Sequence, residues 1–246
     1  MTVKNAKPVA SVTELWTYPV KSFAGITLQS ARVGWHGLHG DRRYGFVRTG
    51  DTSGHPWLTA RQLPALVTFQ ASFADPDDIQ RSTVVVRAPD GAEADIDSEE
   101  LRSRIEELYG KSVHLLHLYG GAFDANDLSL ITVQSMDTVS AKADTDREVR
   151  RYRPNIVVEA FGEHPLPETR WVGKLLVFGD RPDSARIRVY RKDQRCNIVD
   201  VDPDSGERSG NLLRVIAGEY RNLLGVYGGA QRPGTIRVGD VVYLTK

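Results

Sequence analysis

A mostly β chain of the α+β class, with β-barrel architecture and a few interspersed helices, is what these 246 residues predict. Three observations carry that expectation. Short runs rich in β-branched and aromatic residues recur along the chain, turn sequences punctuate them densely, and only three segments hold an apolar repeat of helical period. Helices do not alternate one by one with strands, as they would beside a parallel sheet.

In chain order, Val67–Phe73 and Thr83–Arg87 read as strands, the second followed by the turn Pro89-Asp90-Gly91. Ser98–Tyr109 is the clearest helix, because Leu101, Ile105 and Leu108 fall on one face. Asp97 or Ser98 can cap it, and Glu99 and Glu100 complement its positive end. Tyr119–Asp127 is small and polar and reads as a linker between an N-terminal unit, residues 1–118, and a C-terminal unit, residues 128–246. Beyond it, Val133–Ala143 and Asn211–Arg221 read as helices, and Arg186–Arg191 and Val238–Leu244 as strands. Turns are expected at Asp202-Pro203-Asp204-Ser205-Gly206, Gly225-Val226-Tyr227-Gly228-Gly229 and Arg232-Pro233-Gly234.

Composition removes several function classes. Lysine plus arginine and aspartate plus glutamate both number 32, which excludes the net basic footprint of a dedicated nucleic-acid binder. Any cluster of cations is then local and suited to a small anion. Residues 1–12 are polar, with Lys4 and Lys7, and lack the apolar core of a secretory signal. Apolar runs such as Ile156–Val158 and Leu175–Phe178 are too short to cross a bilayer, so the expectation is a soluble, cytoplasmic protein with no membrane partner. A single cysteine forms no internal disulfide and cannot hold an all-cysteine iron–sulfur cluster.

That cysteine closes the run Arg191-Lys192-Asp193-Gln194-Arg195-Cys196. Free cysteines are most often small buried hydrophobes. Here three cations lie within five residues, and a positive field favours thiolate, the nucleophilic and metal-binding form. Spacing alone leaves both readings open. Three further segments set cations on constrained backbone: Tyr18-Pro19-Val20-Lys21-Ser22, Gly40-Asp41-Arg42-Arg43-Tyr44 and Arg151-Tyr152-Arg153-Pro154-Asn155. Each cation is either solvated surface charge or a phosphate ligand, with arginine adding bidentate geometry. No G-x-S-x-G elbow and no G-x-x-x-x-G-K-[ST] loop is present. His36 and His39 flank Gly37, which favours a loop over a helical metal face.

Seven ordered segments together resemble one family. Tyr18-Pro19-Val20-Lys21-Ser22, Gly40-Asp41-Arg42-Arg43 and Thr59-Ala60-Arg61-Gln62 resemble the N-terminal barrel half of MOSC proteins, named for the molybdenum cofactor sulfurase C-terminal domain. Arg153-Pro154-Asn155-Ile156, Arg195-Cys196, Asp202-Pro203-Asp204-Ser205-Gly206 and Pro233-Gly234-Thr235-Ile236-Arg237-Val238-Gly239-Asp240 resemble the MOSC half, in the amidoxime-reducing subgroup. The resemblance implies two barrel-like lobes with a molybdenum–molybdopterin cofactor between them. It implies Cys196 as metal ligand, with Lys21, Arg42, Thr59, Arg61, Arg153, Asn155 and Arg195 around the pterin and its phosphate. A soft thiolate suits a metal already bound by sulfur.

The implied activity is reduction of N-hydroxylated, or similarly N- or S-oxygenated, small molecules. A single cysteine and the lack of a dinucleotide fingerprint after a strand point to electrons from a separate ferredoxin- or flavin-type protein. The alternative is a cofactor-binding or sulfur-carrying module without turnover. Asp202 is a candidate proton-handling group, since oxygen lost as water consumes protons, and equally a turn-forming residue before proline. Two departures stand out: Asn197-Ile198-Val199-Asp200 replaces the threonine pair usual after Arg-Cys, bringing Asp200, and Phe23-Ala24 stands where relatives carry Cys and Lys. The first leaves open a different molybdenum reaction, such as carbon–sulfur cleavage.

Overall fold

The computed structural model describes residues 6–118, 128–208 and 210–245. The expected linker at 119–127 lies outside the described residues. The N-terminal half contributes β1 (Lys7–Thr17), β2 (Ile26–Leu28), β3 (Ser30–Gly34), β4 (Gly37–Leu38) and β5 (Tyr44–Arg48). It continues with β6 (Gln70–Phe73), β7 (Val84–Arg87), β8 (Glu93–Asp95), helix α1 (Glu99–Tyr109) and β9 (Val113–His117). The second half runs β10 (Leu128–Thr132), α2 (Val133–Ala143), β11 (Ile156–Ala160), β12 (Leu175–Phe178) and β13 (Arg186–Gln194). Helix α3 (Leu212–Tyr220) and strands β14 (Leu223–Arg232), β15 (Gly234–Arg237) and β16 (Val241–Thr245) complete it.

One sheet runs β11-β10-β14-β13-β12-β16-β1-β2, and an additional β11–β1 pairing closes it into a barrel. The first strand of the chain is therefore a stave of the barrel otherwise built from the second half. Val12, Leu15, Leu130, Val158, Leu176, Ile187, Val226 and Val242 fill the interior. The neighbouring Ile131, Val157 and Leu224 point outward, beneath α2 and α3, where Met136, Val139, Leu212 and Ile216 cover them. Strands covered on both faces read as continuous apolar runs, which explains Ile156–Val158. The other lobe sets the pair β5–β9 and the sheet β6-β7-β8 around Phe23, Phe46, Phe69, Val84 and Ile105.

The helices match their patterns. Ser98, not Asp97, caps α1, its hydroxyl accepting from the Leu101 N–H at 3.2 Å. Three expectations need correction, two of strands and one of a turn. Val238–Leu244 is strand only from Val241, after a turn at 238–239. Val67–Phe73 is not one strand: Pro64, with φ fixed by its ring, opens a 3-10 turn over Pro64–Thr68, Phe69 drops into the second core, and β6 begins at Gln70. Gly225–Gly229 is not a turn but the middle of β14. A Cβ on Gly228 would meet Ile187 at 2.5 Å and the Arg188 carbonyl at 2.9 Å, so the glycine serves close strand approach. No helix among the described residues is long and apolar enough to cross a membrane.

A buried acid sits under α2. Glu168 is fully buried and accepts hydrogen bonds from Thr132 Oγ1 and Ser135 Oγ, both at 2.7 Å. Burial raises its carboxyl above the usual range, outweighing those two bonds. The folded protein thus holds this proton to higher pH than the unfolded chain does. Its contribution is present below the unfolded pKa and is lost as pH rises through the folded one. Glu168→Gln should therefore gain on the wild type with rising pH, by up to ~1.4 kcal/mol per unit over that interval. Denaturant unfolding of both proteins from pH 4 to 8 checks this. A constant difference would mean that the carboxyl titrates alike in the folded and unfolded states.

Candidate functional site: a cationic cleft around Cys196

Where the barrel rim meets the second lobe, a cleft of about 150 Å³ is lined by Lys21, Ser22, Arg42, Thr59, Arg61 and Tyr152, and by Arg153, Arg195 and Cys196, with Ser129, Asp193 and Tyr227 also on its wall. β13 ends at Gln194, and Cys196 stands half-buried in extended backbone just before a 3-10 turn over Asn197–Asp200. Its carbonyl accepts from the Val199 N–H at 3.3 Å, fixing the turn that carries the sulfur to the cleft.

Arg195 is built into the wall. Its Nε donates to the Leu224 carbonyl and its Nη1 to the Tyr152 carbonyl, both at 2.7 Å, while Nη2 lies 3.0 Å from Asp193 Oδ2 as an ion pair. This arginine ties the end of β13 to β14 and to the loop before β11. Arg42 is similarly held: it pairs with Asp41, donates to Asn155 Oδ1 at 3.2 Å and approaches the Arg153 carbonyl at 3.4 Å. Burial opposes its charge, but Asp41 together with Tyr227 and Tyr18 more than offsets this and raises its pKa.

Arg153 differs. Its Nη1 donates to the Phe23 carbonyl at 2.7 Å and its guanidinium lies 4.3 Å above the Tyr18 ring. No carboxylate lies within ion-pair reach of it among the described residues. Burial, and the like charge of Arg42, bring its pKa down to about 10, which still leaves it charged at neutral pH. This is a half-buried cation with no carboxylate partner among the described residues, the arrangement an anion would complete. Tyr18, buried beneath both arginines, has its phenol pushed well above the usual range by desolvation.

Backbone strain converges here too. Six described residues other than glycine have positive φ. Asp144 and Arg221 cap the ends of α2 and α3, and Asn222 follows directly. The remaining three, Ser22 at 69°, Arg42 at 47° and Arg153 at 50°, all line the cleft. Such conformations cost of order 1 kcal/mol or more and persist where a site requires them.

Thr59 and Arg61 reach the cleft by a different route. The Thr59 hydroxyl donates to Gln62 Oε1 at 2.7 Å and accepts from the Arg61 N–H at 3.2 Å, setting a turn with Arg61 exposed at the mouth. Asn155 does not line the cleft. Fully buried, it donates to the Trp16 carbonyl at 3.3 Å and accepts from the Ser129 N–H at 3.2 Å, so it positions Arg42 from behind. Asp202 is not brought to the cleft either. Its Oδ1 accepts from the N–H groups of Asp204 and Ser205 at 3.0 and 2.9 Å, and its Oδ2 pairs with Arg151 at 2.9 Å. These bonds hold its carboxyl below the usual range, the opposite of a proton donor, and the turn-forming reading describes it. Asp200 accepts from the Leu213 N–H at 3.1 Å, capping α3 and leaving the cleft wall without its charge. Phe23 is a core residue of the second lobe, so its replacement of a polar residue alters packing and not the rim.

Asp193, Ser129 and Tyr227 were not singled out by sequence. Asp193 is 1% exposed; Ser129 Oγ donates to its Oδ2 at 3.0 Å, and the Tyr227 hydroxyl also bonds to it. Burial raises this carboxyl despite Arg195, and burial together with Asp193 pushes Tyr227 up to about 12. The available signal was an acid amid cations at a position where β13 turns inward.

The chemistry of the donor set can be weighed directly. Among the described residues, five cations and a single carboxylate line the cleft around one sulfur, which suits a polyanion. No group of three or more His, Cys, Asp or Glu converges among the described residues, so a metal on Cys196 would have to bring its other ligands with it. An anionic cofactor that itself chelates a metal fits both conditions.

Comparison with known families identifies the chain's relatives. The MOSC N-terminal beta barrel domain matches residues 9–141, and the MOSC domain matches residues 118–243. Mitochondrial amidoxime reducing component 2 of Macaca fascicularis is 24% identical over 98% of this chain and 85% of that protein. Mitochondrial amidoxime-reducing component 1 of Homo sapiens is 25% identical over 96% of this chain and 83% of that protein, and its Mus musculus counterpart is 24% identical over 98% and 84%. With each domain model covering more than half of the sequence, the chain belongs to the MOSC family.

Proposed function

We propose that this chain binds a molybdenum–molybdopterin cofactor in the cleft, with Cys196 as metal ligand, and reduces N-hydroxylated small molecules with electrons from a separate donor protein. The observation that carries this reading is the half-buried Arg153, without a carboxylate partner among the described residues, beside Arg42 and the Cys196 sulfur. The names of the relatives supply the reaction class. When bound, the cofactor supplies a two-electron redox centre. The protein's part is to bind, orient and electrostatically tune it.

In that reading Arg153 and Lys21 receive the phosphate, and Arg42, held by Asp41 and Asn155, orients the pterin. Arg195 keeps the Cys196 turn in register with β14. Reduction of an N-hydroxyl group takes two electrons and two protons, breaks the N–O bond and releases water. Asp193, buried on the cleft wall, replaces Asp202 as our candidate for holding one of those protons at its carboxyl oxygen.

Protein from a cofactor-competent host should contain molybdenum by elemental analysis and release oxidised pterin on acid treatment. A metal-free, pterin-free preparation would overturn the proposal. Chemically reduced viologen should drive reduction of an amidoxime, whereas NADH or NADPH alone should not, because no G-x-G-x-x-G fingerprint follows a strand. Steady turnover on pyridine nucleotide without a second protein would contradict this. If substrate fails to reoxidise reduced, metal-loaded protein, the chain is a carrier module without turnover.

A further inference from the structure

The outer face of the barrel beside the cleft carries a one-sided charge. Strands β14, β13 and β12 are neighbours there, and their sequences contain one acid between them, Asp193, whose carboxylate is buried on the cleft wall. Outward along β13 stand Arg188, Tyr190 and Lys192; Ile187 and Val189 turn into the barrel, and Arg191, past a register shift, is exposed as well. Lys192 is exposed and Tyr190 is 40% exposed, an aromatic ring between two cations. Opposite, β14 presents Gly229 against Arg188, so nothing overhangs the arginine from that strand, and ends in Arg232. Arg188, Lys192 and Arg232 have no carboxylate within ion-pair distance among the described residues. The chain as a whole is neutral, so this strip is a local field and not an overall excess.

The strip also leads somewhere. Lys192 is four residues from Cys196 on the same strand and its exit, roughly 13 Å at the rise of an extended chain.

We infer that the outer face of β13, centred on Arg188, Tyr190 and Lys192, is the docking surface for an acidic electron-donor protein of the [2Fe–2S] ferredoxin or flavodoxin kind. The inference rests on the reductase reading for the donor's purpose, and on the charge and position of the strip for the surface itself. Each docking event would pass one electron inward, two being needed per N–O bond reduced. Exposed charges of this type act mainly on association rate and on salt dependence.

The test uses the double variant Arg188→Glu/Lys192→Glu, with both substitutions on the solvent side of the strand. Binding of a purified, oxidised plant-type [2Fe–2S] ferredoxin and of a flavodoxin is measured by calorimetry at low and high salt. Viologen-driven and ferredoxin-driven turnover are measured in parallel on the metal-loaded protein. At ~20 mM ionic strength the variant should bind at least one of these donors about tenfold or more weakly, and lose donor-driven rate in proportion. The difference should fade by ~0.5 M salt, and viologen-driven turnover should be unchanged. Equal binding by variant and wild type, or no binding of either donor to the wild type at low salt, overturns the inference. So does a duplex DNA that binds the wild type as tightly as the donors and is lost alike in the variant, which would make the strip a general polyanion surface. Absent viologen-driven turnover would instead count against the reductase reading, since the binding measurement requires no turnover.

Discussion

Cys196→Ser should lose most turnover while keeping the fold and much of its pterin. Serine replaces a soft thiolate with a hard, weakly acidic hydroxyl that is a poor substitute beside sulfur-ligated molybdenum. The pocket's hold on the phosphate comes from Arg153, Lys21 and Arg42, none of which depends on the sulfur. The sulfur-to-molybdenum absorption should disappear with the activity. A purely structural cysteine predicts the reverse: a loss of order 1–3 kcal/mol from placing an unsatisfied hydroxyl in the interior, with metal chemistry intact. Cys196 is only half-buried, which already limits that cost. Thermal melting and X-ray absorption at the metal, measured on both proteins, separate the two outcomes. A serine variant that melts lower but retains the wild-type metal spectrum and turnover would end the ligand assignment.

Arg153→Glu should empty the cleft without unfolding the protein. A charge-assisted hydrogen bond is worth about 1.5–3 kcal/mol, against 0–1 for an exposed ion pair, so losing it lowers cofactor affinity roughly 10- to 150-fold, and charge reversal adds repulsion. Lys21→Glu should act in the same direction. Arg42 is a poorer probe, because Arg42→Glu would set a second carboxylate beside Asp41 and undo the Asn155 contact, mixing site and fold. Lys174→Glu is the control, exposed and remote from the cleft wall. Molybdenum and pterin content per protein, with melting of the cofactor-free forms, is the readout. Equal occupancy in Arg153→Glu and Lys174→Glu would return Arg153 to the status of an ordinary structural arginine.

Much of the scaffold was legible in local patterns. The three helices follow apolar periodicity, and α1 and α2 add local caps at Ser98 and Thr132, all of which act within a few residues; the cap of α3 comes from distant Asp200. Dense turn signals and β-branched runs gave the sheet-dominated class for the same reason. What escaped depends on contacts distant in sequence. Gly228 looks like a turn residue until β13 is laid against it. Strict alternation from Ile187 and Val189 would bury Arg191, but an irregularity between Val189 and Arg191 turns it outward, and no local signal announces it. Asp193 was overlooked because its partners Ser129 and Tyr227 lie 64 and 34 positions away. Asp202 drew attention as a carboxylate that could handle protons, whereas its own turn takes up Oδ1 and Arg151 takes up Oδ2. Cys196 and the cations that line the cleft were named together by the family resemblance, since residue type and spacing alone left each open to a bland reading. The division of labour among those cations, with Arg195 and Arg42 pinned and Arg153 left without a carboxylate partner among the described residues, required coordinates.

The seam of the barrel bears on how the molecule is made. β1 is held on one side by β11 and on the other by β16, with Lys7 opposite Leu244 and Ala10 opposite Ala160. During translation the first stave is in hand long before the last. At about 5–20 residues per second, some 220 residues separate the end of β1 from the start of β16, a wait of roughly 10–45 s. Until then the nascent cylinder stands open along one side, with unpaired N–H and C=O groups that any other strand could capture. Closure across nearly the full length of the chain also places this fold among the slow ones. Yield in the cell is therefore set by what shields that open edge while the ribosome finishes, as much as by the stability of the closed barrel.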